Sequence, residues 1–391
     1  MVFIRIGGIA IAVAALVVAI IFFVVLPPRI DDQMNVVTDH AAYEISPEAQ
    51  AFHDSLRIAD LHSDLLLWAR NPTRRYDRGH TDLPRLREGG VVLQVFPSVT
   101  KTPSNMNYET NTADSDDITL LAIAQLWPLD TWGSLFARSR YHARRLHRAA
   151  DASGGDFIVA RTAADLRNAL VAHATNRDML VGILATEGGH PFEGEVANIQ
   201  GLYDEGYRLI GLQHFFDNEL GGSLHGISNA GLTEFGREAV AAILDQGMII
   251  DVAHSSQAVV REVLDLTDAP LVVSHTGIRS LCETPRNISD DLLIEIAARG
   301  GLIGIGFWAD VTCDDSPAGI ARAIMHAVGV LGVEAVALGS DYDGTITTTF
   351  DASELAILTQ ALLEAGMSED DIRAVMGENQ IRFFLQNLPA Q

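Results

Sequence analysis

The run IADLHSD (residues 58–64) passes from an apolar, strand-like stretch into His62 and Asp64. The same change recurs in GILATEGG (182–189) at Glu187, in IIDVAHSS (249–256) at His254 and in LVVSHTG (271–277) at His275. Side chains two apart on a strand share a face, so His62 and Asp64 can reach one cation. Ligands delivered singly from separate strand ends are how a parallel barrel assembles a metal site at its C-terminal face.

Working outward from these four runs, further segments rich in Val, Ile and Leu alternate with helical stretches. Together they occupy 58–62, 91–96, 181–186, 208–213, 248–253, 271–275, 302–307 and 335–340. Continuously apolar strands separated by helices indicate a parallel sheet covered on both faces, and eight of them predict an α/β fold of the (β/α)8 TIM-barrel type. A doubly wound open sheet is the competing architecture. Ser46 followed by Pro47 and an amphipathic run places the start of the globular domain, 46–391. Near the end, Ser368 and Asp371 have capping-box spacing and predict a terminal helix that seals the barrel.

The stretch before this domain is a separate object. Residues 6–26 carry no charge and are flanked by Arg5 and by Pro27, Pro28 and Arg29. About 20 apolar residues cross a bilayer, and VVLPPR lacks a small-residue cleavage pattern, so 1–28 reads as an uncleaved transmembrane signal anchor and 29–45 as a polar linker. One Arg on each side gives the positive-inside rule little to count. The 391 residues have a formal charge of −24, which excludes a nucleic-acid partner because such a partner needs a basic face.

Two long segments, 98–117 and 214–231, follow the second and fourth strands, where barrel enzymes place substrate loops. Glu187 ends an uncharged run, a place where a carboxylate is costly unless a cation or hydrogen bonds satisfy it. Asp341 follows the eighth strand in VALGSDYDG. A lone strand-end His is usually a satisfied core residue, but recurrence at several strand ends reverses that reading. Three carboxylates (Asp64, Glu187, Asp341) and three imidazoles (His62, His254, His275) exceed one tetrahedral zinc, whereas a shared carboxylate lets two metals sit about 3.5–4 Å apart.

In this order DLHSD, ATEGGH, LQHFFDN, DVAHSS, VSHTG, TPRNISDD and GSDYDG resemble the membrane dipeptidase (renal dipeptidase-like) family over about residues 56–386. The resemblance implies a (β/α)8 barrel with two Zn(2+) per chain, cleaving dipeptides, often with a D-residue second, by a hydroxide held between the metals. His62 and Asp64 match ligands of the first metal, Glu187 the bridge, and His254 and His275 ligands of the second. Asp341 matches the acidic residue beside the first metal that shuttles the proton to the leaving amine. His214 matches the histidine that stabilises the oxyanion, and Arg286 the arginine that pairs with the substrate's C-terminal carboxylate.

Cys282 and Cys313 align with a disulfide of family members. A bridge would suit an oxidising compartment and place the barrel outside the cytoplasm on a single-pass, N-in anchor. A homodimer is kept as a candidate assembly. The chain departs from the family pattern in HFFDNELGGS after His214 and at Asp310, where some members have an aromatic residue near the substrate. His190 and His225 are lesser candidates for touching substrate, Asp343 reads as a loop-structuring residue and Asp60 as a supporting one. The same metals could serve another amide, an N-acyl-amino acid or a lactam. A catalytically silent, membrane-anchored binding module would require a lost ligand, and every ligand position is filled.

Overall fold

The computed structural model describes the backbone of residues 2–390 and the side chains of 9–390. Eight strands, all parallel, form the barrel: β1 (Ile58–Asp60), β2 (Val91–Val99), β3 (Leu180–Glu187), β4 (Tyr207–Gly211), β5 (Ile249–Asp251), β6 (Val272–Thr276), β7 (Leu302–Ile305) and β8 (Val336–Leu338). Neighbours in sequence pair, β8 pairs with β1, and β2 pairs with β3 from Leu93↔Val181 to Val99↔Glu187, so the sheet closes on itself. This closure excludes the open-sheet alternative. Within the barrel Leu93, Val181, Leu209, Ile249, Val272 and Leu302 belong to one buried cluster, which Phe383 and Phe384 of the terminal helix complete from the far end. Burying such side chains contributes about 1.5–3 kcal/mol each before chain entropy is charged against it.

A short strand, Phe157–Val159, pairs in parallel with the first three residues of β3, Leu180–Gly182, and nothing in its sequence periodicity distinguishes it. The helical region after the second strand is broken into Asp117–Ala124, a turn at Leu129–Trp132 and Leu135–Ala152, with Pro128 in the break. Ser46 caps its helix by accepting from the Ala49 amide, with Pro47 at the first turn. Ser368 likewise accepts from Asp371 N at 3.2 Å, but the reciprocal half of the expected capping box is not formed.

Residues 29–45 are not a loose polar tether. The apolar helix continues through a π turn at Ile21–Val25 into Leu26–Met34, which takes up the two missing Pro27 and Pro28 amide donors. It ends at Asn35, and Val36–Val37 then pair in parallel with Thr347–Thr348 of the loop after β8. Beneath this junction Asp31 forms an ion pair with Arg70 Nε at 3.0 Å, and Arg70 Nη2 pairs with Asp343 at 2.7 Å. All three side chains are at most 3% exposed. Gly79 lies flush on the Arg70 guanidinium, which a Cβ there would meet at 2.5 Å. Thus the segment leaving the apolar helix is locked to the loop that carries Asp341.

Candidate metal centre

At the C-terminal end of the strands the side chains singled out by sequence converge. Glu187, the last residue of β3, points one oxygen, Oε1, at four imidazole Nε2 atoms: His62 at 3.5 Å, His214 at 3.4 Å, His254 at 3.3 Å and His275 at 3.5 Å. His62 Nε2 also lies 3.7 Å from Asp64 Oδ2 and 3.8 Å from Asp341 Oδ1. Three groupings have ligand atoms within 4.8 Å of one another: His62, Asp64 and Asp341; His62, Glu187 and His275; and Glu187, His214 and His254. His214 is thus nearer the metal-ligand cluster than the sequence suggested. Two of the contributors, His254 (φ 61°) and Asp341 (φ 61°), sit in left-handed backbone, strain of the kind that concentrates at functional sites.

The residues fit a cation by their unsatisfied atoms. His62 Nε2, Asp64 Oδ1 and Glu187 Oε2 are buried without a hydrogen-bond partner, a costly arrangement that a positive ion would relieve. From the chain's own groups alone, burial pushes Glu187 well above the usual carboxylate range, reinforced by Asp64. Burial likewise pushes Asp341 up to about 8, with His62 opposing and Asp64 adding. Burial, with help from neighbouring cationic groups, holds His214, His254 and His275 well below the usual imidazole range. They are therefore neutral, the form whose lone pair binds metal.

Outer contacts fix these ligands. Ser274 Oγ sits between His275 Nδ1 at 2.8 Å and His62 Nδ1 at 3.3 Å, and its backbone N donates to Asp251 Oδ1 at 3.0 Å. Asp60 accepts from Ser340 N at 2.7 Å and from Gln94 Nε2 at 2.7 Å, tying β1 to β8 and β2. Asp343 accepts from His80 N at 2.7 Å and Thr81 N at 3.2 Å, and so structures its loop rather than joining the ligands. Ser274 and Asp251 escaped notice in the sequence because a Ser or Asp within an apolar run carries no spacing signal of its own.

Arg286 is wholly buried and lines the same cavity as Asp64, Glu187, His214 and Asp341. Its Nη2 donates to His275 O at 2.8 Å, while Nε and Nη1 have no partner. The loop holding it is clamped by Asn287, whose Nδ2 donates to Cys282 O at 2.8 Å and Val311 O at 3.0 Å, and by the Cys282–Cys313 disulfide, Cα–Cα 5.5 Å. The 98–117 loop contributes Thr102, Met106 and Tyr108 to the cavity wall, and the 214–231 loop contributes Phe215. The Tyr108 hydroxyl accepts from Trp308 Nε1 at 3.0 Å, and Trp308 lies under the Arg286 guanidinium.

Tyr108 was missed by sequence reading, its only signal being a lone aromatic in a long polar loop. Asp310 is exposed, and Trp308 is the residue of that stretch that faces the site. Neither His190 nor His225 lines the catalytic cavity. His190 stacks on Phe216, and His225 Nδ1 bonds to Tyr108 O at 2.9 Å.

Residues 47–388 match the Membrane dipeptidase (Peptidase family M19) family. Dipeptidase aclJ of Aspergillus oryzae is 28% identical over 355 residues, covering 83% of this chain and 76% of that protein. The solved structure of dipeptidase AC, a metallo peptidase of family M19, superposes with a TM-score of 0.71 at 25% identity, covering 86% of this chain and 100% of that one. A metallo peptidase from Rhodobacter sphaeroides, liganded with a phosphinate mimic of the dipeptide L-Ala-D-Ala, superposes with a TM-score of 0.67 at 26% identity, covering 85% and 99%. The converging ligands, the closed barrel and these matches agree: the chain belongs to the membrane dipeptidase family, peptidase family M19, and is a metallo-dipeptidase.

Proposed function

We propose that this chain cleaves dipeptides, including those with a D-residue in the second position, at a centre of two zinc ions. The observation that carries the reading is Glu187: one oxygen faces four imidazole nitrogens while the other is buried without a partner, as suits a carboxylate shared by two cations. His62, Asp64 and Glu187 would hold one ion, and Glu187, His254 and His275 the other. When bound, the pair supplies Lewis-acid polarisation of the scissile carbonyl and lowers the pKa of an attacking water.

The chain's own groups do the rest. Arg286, whose Nε and Nη1 lie buried without partners, offers its guanidinium to the substrate's terminal carboxylate, a charge-assisted contact that sets the carbonyl one residue away over the carboxylate cluster. His214, neutral and lining the cavity, donates to the oxyanion as it develops. Asp341 takes the water's proton on a carboxylate oxygen and passes it to the leaving amine. The bound ligand of the Rhodobacter sphaeroides relative supports tolerance of a D-residue. The apolar helix Ile9–Met34 and the disulfide support a single-pass N-in anchor with the barrel outside the cytoplasm.

The test is a panel assay of the zinc-loaded full-length protein on L,L and L,D dipeptides, tripeptides and N-acetyl amino acids. Rapid turnover of dipeptides with poor turnover of the other two classes is expected. Preference for N-acetyl amino acids would move the assignment to the other amide hydrolase reading.

A further inference from the structure

The helix Leu135–Ala152 carries five arginines whose partners differ. Arg138 pairs with Asp116, and Arg140 and Arg144 pair with Glu205. Arg145 and Arg148 have no carboxylate partner among the described residues, although the chain carries a formal charge of −24. Arg145 is 9% exposed and donates only to the backbone carbonyls of Leu66, Trp68 and Arg70. Burial lowers its pKa, Tyr141 opposes, and Arg70 and Arg148 add to the depression. A buried cation without a counter-ion is costly, and an anion would relieve it. Both arginines line a cavity of about 410 Å³, within the range of roughly 300–1,000 Å³ typical of small-molecule sites. Arg70, Gln125, Tyr141 and Ala152 also line it, and no Asp or Glu does. Arg70 is already held between Asp31 and Asp343, which leaves the charges of Arg145 and Arg148 uncompensated. Gln125 adds a further donor, its Nε2 being buried without a partner.

We propose that this cavity binds the phosphate of an anionic phospholipid from the leaflet beside the N-terminal helix. The inference goes beyond the dipeptidase reading and rests on the membrane-anchor reading alone. Asp31, 3.0 Å from Arg70 Nε, lies five positions past Leu26, about 7 Å along the helix. The headgroup region extends roughly 5–8 Å beyond each face of the hydrocarbon core, so the cavity beside Arg70 stands at its level. A guanidinium presents a planar fork of donors that matches phosphate oxygens. The headgroup must carry no ammonium. With no carboxylate in the lining, choline or ethanolamine would face only Arg145 and Arg148, and the Tyr141 ring already faces the Arg145 guanidinium at 5.7 Å. A glycerol headgroup meets neither obstacle. Charges elsewhere on the acidic chain are screened beyond about 8 Å at physiological ionic strength, so the local site survives them. Leu126 and Leu129, which follow Gln125, are exposed apolar side chains suited to lie against acyl chains. Free phosphate offers the same oxygens and is the competing source.

The experiment measures binding to the full-length protein in dodecyl maltoside micelles by native mass spectrometry, with phosphatidylglycerol, phosphatidylcholine and inorganic phosphate as probes. Wild type is expected to bind phosphatidylglycerol about tenfold more tightly than phosphatidylcholine, the return from one charge-assisted contact. Arg148→Gln and Ala152→Trp, both at exposed positions lining the cavity, should bring that ratio toward one. Arg144→Gln removes the same charge from the same helix outside the cavity and should leave the ratio unchanged. Equal affinities in wild type, or an equal loss in Arg144→Gln and Arg148→Gln, overturn the cavity as the site and leave the anchor reading standing. Displacement of phosphatidylglycerol by inorganic phosphate at millimolar concentration would make a soluble phosphate the ligand and overturn the lipid assignment. Wild type that is monodisperse in buffer without detergent overturns the anchor reading and the proposal together.

Discussion

Arg70→Met tests how firmly the segment after the N-terminal apolar helix is built into the loop that carries Asp341. Arg70 is fully buried between two carboxylates, 3.0 Å from Asp31 and 2.7 Å from Asp343, and donates to Thr81 O at 2.7 Å. Burial alone would lower its pKa, yet Asp343 and Asp31 together raise it, so the charged form is what the site holds. Methionine fills similar space but leaves Asp343 without its guanidinium and Asp31 with only that of Arg78, 3.0 Å away. Removing one partner of a buried pair costs about 3–5 kcal/mol, a large part of the 5–15 kcal/mol that stabilises an ordinary domain. Arg75→Met is the control: its pair with Glu88 is solvent-exposed and contributes at most about 1 kcal/mol.

Thermal unfolding of the full-length protein in detergent, followed by circular dichroism, should show the Arg70 variant melting about 5–10 °C below wild type. The Arg75 variant should melt within about 2 °C of wild type. The turnover per folded molecule should also fall for Arg70→Met, because Asp343 braces the loop that carries Asp341. Equal melting temperatures for the two variants would refute the buried-bridge argument. A protein shortened to begin at Ser46, which lacks Asp31, should share the Arg70 phenotype in milder form.

Three further outcomes follow from the geometry. Arg286→Met should lower kcat/KM on dipeptides on the order of a hundredfold with metal content unchanged, if the guanidinium orients the substrate as proposed; steady-state kinetics beside metal analysis checks both halves. Cys282→Ser should cost roughly 3–4 kcal/mol by the loop-closure model, read as a shift in denaturant midpoint, and wild type should yield no free thiol under denaturing, non-reducing conditions. His142 is buried without a partner, and burial, with Arg145 and Arg138 beside it, holds its pKa well below the usual imidazole value. The unfolded chain takes up that proton below about pH 6.5, so stability should fall as pH drops from 7 to 5 by up to about 1.4 kcal/mol per pH unit. His142→Phe should flatten that slope in urea titrations.

The eight barrel strands were legible because a strand buried on both faces must be apolar throughout, and a polar residue at its end then stands out. That contrast marks His62, Glu187, His254 and His275, and Asp341 follows by the same logic. The strand Phe157–Val159 was not legible because it is three residues long and pairs only with the start of β3, where tertiary context rather than pattern selects the conformation. The docking of residues 29–45 was hidden for a different reason. Asp31 reads as a solvated charge until Arg70 and Arg78, 39 and 47 positions away, are seen to enclose it. Tyr108 and Ser274 likewise acquire their roles from Trp308 and His62, which the fold brings from 200 and 212 positions away.

The most direct measurement is the zinc stoichiometry of the full-length protein after loading and removal of free metal, by inductively coupled plasma mass spectrometry, for wild type and Glu187→Gln. Because one Glu187 oxygen faces all four imidazoles and the other is otherwise unsatisfied, wild type should hold two ions per chain. The variant should hold fewer than one, with dipeptide hydrolysis lost in proportion. A single tightly held ion in both proteins, with hydrolysis unchanged, would contradict a centre built on a shared carboxylate.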